Sequence, residues 1–201
     1  MMTLVVTGGI GSGKSEVCRI LNDLGLVCQY NADMRAKSLY EEHPTLLRDI
    51  ENSLGCTFRD ENGRFQPSKL ASVIFSDSSA LKIVESHLFP ALLEDFATYA
   101  GSCGGEIVVF ESATILEKPQ FDGFGDKVIL VDAPFELRLE RACIRDGVER
   151  DKVIARMQNQ KLMNDISDGY VDPRIDIRII NDGGMEDLVN RTKHAVNSLI
   201  S

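Results

Sequence analysis

The stretch Gly8-Gly9-Ile10-Gly11-Ser12-Gly13-Lys14-Ser15 decides how this chain is read. It fits G-x-x-x-x-G-K-[ST], the phosphate-binding P-loop. Its surroundings fit as well. Thr3-Leu4-Val5-Val6-Thr7 is a short apolar, β-branched run with the character of a buried strand. Val17, Ile20, Leu21 and Leu24 follow Lys14 at helical spacing. The glycines therefore fall on a strand-to-helix turn, the context that the motif requires. Gly8, Gly9, Gly11 and Gly13 let the backbone come close to a bulky anion. Backbone N–H groups at the start of the helix then converge on phosphate oxygens. Lys14 is expected to reach the β- and γ-phosphates, and Ser15 to offer its hydroxyl to Mg²⁺. The loop implies a nucleoside triphosphate and says nothing of the acceptor.

Outward from the loop, the chain alternates strand and helix. Gly25 reads as a helix stop, and Leu26-Val27-Cys28-Gln29-Tyr30 as a second strand ending at Asn31-Ala32-Asp33. Asp33 thus stands at the carboxyl end of a strand, where open α/β sheets place their ligands. Its carboxylate suits a proton acceptor for an acceptor hydroxyl, or an N-cap for a helix starting at Met34. Residues 35–90 read as helical pieces broken at His43-Pro44, Gly55 and Asp60-Glu61-Asn62-Gly63, with Leu46, Leu47, Ile50 and Leu54 on one apolar face. Two more helical pieces are predicted over 68–75 and 79–89. His87 lies in the second of these and, on its own, reads as a packed or exposed spectator.

Glu106-Ile107-Val108-Val109-Phe110 reads as a third strand ending at Glu111. That pattern matches a Walker B element, whose carboxylate organises Mg²⁺ and its waters. Residues 127–132 form a fourth strand, 135–145 and 151–163 two helices, 175–180 a last strand and 185–200 a closing helix. The expected fold is α/β: a P-loop NTPase parallel sheet with helices on both faces, plus a helical substrate-binding insertion and a lid. The expected boundaries are 1–34, 88–135 and 170–201 for the nucleotide-binding core, 35–87 for the insertion and 136–169 for the lid. A lid is what phosphoryl transfer needs to exclude water. Arg141 and Arg145 share a helix face there, and side by side they repel unless an anion lies between them. Glu136, Glu140, Asp146 and Glu149 are the alternative partners.

The net charge of −9 over 201 residues argues against general nucleic-acid binding, which favours a basic face. The five cysteines are odd in number and form no C-x-x-C, so neither a disulfide framework nor a zinc site is expected. No leader pattern opens the chain, and no apolar run approaches the ~20 residues of a membrane span. The expectation is a cytoplasmic protein, with a monomer as the favoured state and no membrane partner.

An ordered set of residues runs through nearly the whole chain. It begins with Thr7 to Ser15 and Asn31-Ala32-Asp33. It continues with Asp60-Glu61-Asn62-Gly63-Arg64-Phe65, Glu85-Ser86-His87-Leu88-Phe89-Pro90 and Glu111-Ser112-Ala113-Thr114-Ile115-Leu116-Glu117. It ends with Arg141, Arg145-Asp146-Gly147, Arg156, Gln160 and Asn181. In this set the chain resembles the dephospho-CoA kinase family, P-loop enzymes of the nucleoside-monophosphate-kinase-like group. The resemblance implies transfer of the ATP γ-phosphate to the ribose 3′-hydroxyl of dephospho-CoA, the last step of coenzyme A synthesis, with ATP and Mg²⁺ as cofactors. It implies nucleotide contacts from Gly9, Gly11, Ser12, Gly13, Lys14, Ser15 and Glu16, with Asn181 in the adenine-side loop. It implies Asp33 as the acid that orients or deprotonates the acceptor hydroxyl, with His87 and Glu111 also on the acceptor side. Arg141 and Arg145 would serve from the lid.

Departures from the family pattern are Glu16 in place of a hydroxyl residue, Asn31 in place of an acid, and the 112–117 and 167–174 stretches. A kinase for another small acceptor, such as a nucleoside monophosphate or a sugar acid, would share the loop, insertion and lid. It would lack an apolar groove for a pantetheine arm, for which Leu81, Val84, Leu88, Phe89, Leu92 and Phe96 are candidates when they are not simply core. A nucleotide-dependent switch would be expected to show a base-reading Asn-Lys-x-Asp, which the chain lacks.

Overall fold

The computed structural model describes residues 1–25 and 27–200, without the side chain of Ile200. Leu26, read above as the first residue of the second strand, lies outside the described residues. Five strands form one parallel sheet: β1 (Met2–Gly8), β2 (Val27–Asn31), β3 (Ile107–Glu111), β4 (Lys127–Asp132) and β5 (Ile177–Ile180), in the order β2-β3-β1-β4-β5. β1 lies between β3 and β4, so the connections diverge to either side of it. The crevice at its carboxyl end is the switch point where such sheets bind ligands.

Period-2 alternation sends the strand residues to two faces. Leu4, Val6, Val109, Ile129 and Val131 face a core completed by Val17, Ile20 and Leu21 of α1 (Lys14–Asp23) and by Leu188, Ala195 and Val196 of α9 (Met185–Ile200). On the other face Phe110 stacks on Tyr30 at 5.5 Å and meets Phe124 edge-on at 4.8 Å. Leu130 packs there with Met163 and Ile166 of α8 (Lys161–Ser167). Both faces are covered, as a parallel sheet demands. A further small core joins α6 (Phe135–Asp146) to α7 (Arg150–Gln158) through Leu139, Ala142, Val153 and Met157, and Ile10 of the P-loop packs against it. Among the described residues no helix is long and apolar enough to cross a membrane. Cys18, Cys28, Cys56 and Cys143 are free thiols.

The chain divides into two compact units, residues 1–31 with 103–201, and residues 32–102. The second holds α2 (Ala32–Glu42), α3 (Leu46–Leu54), α4 (Pro67–Ser76) and α5 (Ser78–Ser102). The helical part therefore extends beyond 35–87, and residues 88–102 leave the core to which they were assigned. The reason is α5, a single 25-residue helix that runs on through Pro90. A proline commonly ends or kinks a helix. Here Ala91, Leu92, Phe96 and Ala100 continue the buried stripe begun by Val84 and Leu88, and that burial carries the helix forward. Val84, Leu88, Phe89, Leu92 and Phe96 are buried as core, with Leu81 partly so, and do not line an open groove. Likewise the helix expected over 151–163 is two helices, broken at Asn159 and Gln160.

One carboxylate pins the connection after α3. Glu51 accepts from the Phe58 N–H at 2.8 Å, the Thr57 hydroxyl at 2.9 Å and Arg59 Nε at 3.1 Å. Burial opposes its ionisation, but these bonds outweigh burial and hold its pKa below the ordinary value. A depressed folded value means that the carboxylate stabilises the fold above the ordinary pKa of about 4.3, and loses that contribution as pH falls through the folded value. Glu51→Gln is expected to cost about 1–3 kcal/mol at pH 7 and to flatten the acid side of the stability profile. Urea unfolding at neutral and acid pH checks this, and a variant with the wild-type acid slope contradicts it.

Candidate nucleotide site

The site grows from the turn between β1 and α1. Gly13 caps α1 in a left-handed conformation, with φ +97° and no side chain capping the helix N-terminus. The first N–H groups of the helix are thus left for an anion. A β-carbon on Gly13 would lie 2.2 Å from Asn181 Nδ2, and one on Gly11, at φ +75°, would lie 2.0 Å from the Arg138 carbonyl oxygen. Glycine is required at both positions by backbone conformation and by close approach. The Ser12 hydroxyl is buried and finds no hydrogen-bond partner, which suits a loop built to meet a ligand's oxygen.

Other elements hold the loop open. Asn181 follows β5; its Nδ2 donates to the Ser12 carbonyl at 2.9 Å, and its backbone N–H to the Asp132 carbonyl at 2.7 Å. Ile10 is gripped on both sides, its N–H donating to Gln160 Oε1 at 2.8 Å and its carbonyl accepting from Arg138 Nε at 3.1 Å. Arg138 is 2% exposed, with Asp132 at 3.8 Å. Burial pulls its pKa down, and Asp132 partly restores it. Gln160 and Arg138 were not read from the sequence as loop supports. The available signals were the place of Gln160 in the ordered set that carries the resemblance and that of Arg138 one turn before Arg141. Their partner Ile10 is about 130–150 residues away in sequence, so no local pattern reveals the contact.

Lys14 Nζ donates to the carbonyls of Gly8 at 2.9 Å and Gly9 at 3.1 Å. Ser15 Oγ donates to Glu111 Oε1 at 2.6 Å, while Gln29 Nε2 and Asn31 Nδ2 donate to Glu111 Oε2 at 3.0 and 2.8 Å. Register explains the grouping, because Glu111 pairs with Val6 of β1 on one side and Asn31 of β2 on the other. Asn31 is therefore a donor to the buried Glu111 and not a second acid beside it. Glu16 turns along α1 to Arg19, whose Nε donates to it at 3.0 Å.

Arg141 and Arg145 line a cavity of about 190 Å³ with Gly11, Gly13, Lys14, Ser15 and Glu16. An adjoining cavity of about 260 Å³ runs past Gly13, Arg141 and Asn181 to Met185 and Leu188. Each arginine has its own partner. Arg141 Nη1 donates to the Asn181 carbonyl at 3.1 Å. Arg145 Nε donates to Asp146 at 2.7 Å, as does Arg156 Nη1 at 2.7 Å. These two guanidinium groups hold the Asp146 carboxyl well below the usual carboxylate range.

Asp33 and His87 belong to the helical unit. Asp33 is exposed in the first turn of α2, which begins at Ala32, so it is not an N-cap for a helix starting at Met34. His87 is half-buried, with Nε2 2.9 Å from Ser53 Oγ.

Gly13→Ala tests the close approach. It is expected to break the Asn181–Ser12 bond, cost about 1–3 kcal/mol of stability and remove triphosphate binding in a calorimetric titration. Wild-type binding by that variant contradicts the geometry.

Comparison with known proteins agrees with the geometry. Residues 2–185 match the family model described as dephospho-CoA kinase. The dephospho-CoA kinase of Porphyromonas gingivalis is 38% identical over 161 residues, covering 80% of this chain and 78% of that protein. A solved structure from Thermus thermophilus superposes with a TM-score of 0.83 at 27% identity, covering 100% of this chain and 98% of that one. Dephospho-CoA kinase from Campylobacter jejuni shares the fold, with a TM-score of 0.63 at 23% identity over 98% of this chain and 96% of that one. The chain therefore belongs to the dephospho-CoA kinase family of transferases.

Proposed function

We propose that the chain transfers the γ-phosphoryl group of ATP to the 3′-hydroxyl of the dephospho-CoA ribose, giving coenzyme A and ADP, the final step of coenzyme A synthesis. The observation that carries this reading is a P-loop whose mouth is lined by Arg141 and Arg145 and whose Ser15 is bonded to the buried Glu111, in a member of this family. Such a site neutralises and positions a moving phosphoryl group, which is most of what the reaction asks of a protein.

The Ser15 hydroxyl and Glu111 carboxylate are adjacent oxygen donors of the kind that Mg²⁺ takes alongside phosphate oxygens and water. When bound there, Mg²⁺ supplies charge neutralisation at the phosphates. Gly9, Gly11, Ser12, Gly13 and the N-terminal turn of α1, from Lys14 to Glu16, wrap the phosphates with backbone N–H groups. Lys14 turns its ammonium from the Gly8 and Gly9 carbonyls to the phosphate oxygens. Arg141 and Arg145 approach from residues 136–169, which act as the lid and exclude water. Asn181 borders the cavity that takes the adenine. The helical unit carries the acceptor, with Asp33 accepting the proton of the attacking hydroxyl and His87 beside it. The proposed setting is the cytoplasm, whose reducing conditions suit the free thiols Cys18, Cys28, Cys56 and Cys143, and the proposed state is a monomer.

The test is a coupled ADP-release assay with dephospho-CoA, a panel of nucleoside monophosphates and shikimate. Turnover is expected with dephospho-CoA, and turnover with a nucleoside monophosphate alone overturns the assignment. Lys14→Ala is expected to lower kcat/KM by about 10²–10³-fold with an unchanged thermal midpoint. Asp33→Asn is expected to lower kcat by about 10²-fold with little change in KM for ATP. An equal loss of ATP affinity would instead assign Asp33 to the folding of α2.

A further inference from the structure

Within the helical unit, α2, α3 and the turn over residues 59–65 border a cavity of about 530 Å³. Its wall is unlike the chain as a whole. The protein carries a net charge of −9, yet Arg48, Arg59, Arg64 and His43 line this cavity against a single carboxylate, Glu41. Arg59 is committed, since Nε donates to Glu51 at 3.1 Å and Nη1 to the Gly63 carbonyl at 3.2 Å. Arg48, itself exposed, holds its half-buried neighbour Asp49 at 3.3 Å. The Arg64 side chain is exposed and makes no ion pair or side-chain hydrogen bond among the described residues. His43 accepts at Nδ1 from the Leu46 N–H at 3.2 Å, which makes Nε2 the nitrogen that carries a proton and donates. Three donor groups with capacity to spare thus border one concavity. Guanidinium forks match phosphate oxygens in shape and charge.

An aromatic wall completes it. The Tyr40 and Phe65 rings stack at 5.1 Å and tie the 59–65 turn to α2. Burial, then Glu85, pushes the Tyr40 phenol up to about 12, so it remains a neutral donor.

Position along α2 supplies an independent argument. Asp33, Lys37 and Tyr40 stand at i, i+4 and i+7, on one side of the helix. Tyr40 is about 10 Å along the axis from Asp33, seven residues at ~1.5 Å each. A nucleotide that presents its ribose 3′-hydroxyl to Asp33 carries its 5′-phosphates away on the far side of the sugar. The exposed ammonium of Lys37 lies on the way.

We propose that this cavity binds the 5′-diphosphate of the acceptor, with Arg48, Arg64 and His43 as its phosphate ligands. The inference rests on the reading of the chain as a kinase of a diphosphate-bearing acceptor, and it deepens that reading by assigning where the acceptor's charge is held. Adenine and pantetheine then extend from either end of a fixed anion.

The test uses the full chain, wild type against Arg48→Gln/Arg64→Gln, with steady-state kinetics and calorimetry. KM for dephospho-CoA is expected to rise about tenfold or more, a larger effect than that on kcat. KM for ATP and the thermal midpoint are expected to stay put, because both side chains are exposed. Arg48→Lys/Arg64→Lys, which keeps both charges, is expected to recover part of the loss. Unchanged KM for dephospho-CoA with full turnover overturns the cavity assignment and leaves the kinase reading intact. A wild type that does not phosphorylate dephospho-CoA overturns the kinase reading instead. In that case dephospho-CoA titrated into ATP-free protein still decides the cavity. Binding to the wild type that weakens about tenfold in the Gln variant upholds the cavity, and equal or absent binding removes it.

Discussion

The peptide groups of the P-loop cannot choose their own shape. A loop that must present N–H groups to an anion has few internal hydrogen bonds with which to define itself, so its geometry is imposed from outside. Asn181 takes the Ser12 carbonyl, Gln160 the Ile10 N–H and Arg138 the Ile10 carbonyl. These three side chains come from the residue after β5, the N-cap of α8 and the first turn of α6, each late in the chain. The P-loop near the N-terminus is therefore finished only when the last third of the chain has packed. Much else follows from this closeness. Gly11 and Gly13 have no room for a side chain, and Ile10 is drawn into the small core between α6 and α7.

Legibility in the sequence followed distance. The central strands β1, β3 and β4 announced themselves locally, because strands buried on both faces of a parallel sheet need near-continuous apolar runs. The runs end where polar groups at the carboxyl edge take over, and Glu111 and Asp132 mark that edge. The P-loop was legible because its residue types suffice for its shape. What could not be read was set by partners far away in sequence. Pro90 reads as the end of a helix, and only the buried stripe from Val84 to Ala100 shows why α5 continues. Gln160 sits in a helical pattern, yet its bond to Ile10 comes where that helix breaks. The candidate groove residues of α5 were ambiguous between core and cleft because apolarity alone does not tell an inner surface from an open one.

Charge is arranged with the same economy. In an acidic chain the carboxylates nearest the P-loop are turned aside onto donors of their own. Glu16 stands at the mouth of the loop, where a carboxylate repels phosphate, but it is drawn along α1 to Arg19. Glu111 accepts from three donors, so it is offered to Ser15 and not to open solvent. Asn31 contributes to this as an amide in a way that an acid at the same position would oppose.

Asp146 gives Arg145 and Arg156 a built-in partner. Its carboxylate already occupies Arg145 and Arg156, so an incoming anion exchanges partners instead of finding a vacant cation. Exchange sets a threshold. A singly charged ion offers Arg145 nothing that Asp146 does not, whereas a polyphosphate brings more charge and more oxygens to the same fork. Apparent affinity is reduced by the fraction of time the arginine is held, equally for every anion. Only strong ligands remain bound after that reduction. Under the proposed function the contact acts as a filter, favouring a polyphosphate over the abundant weak anions of its surroundings.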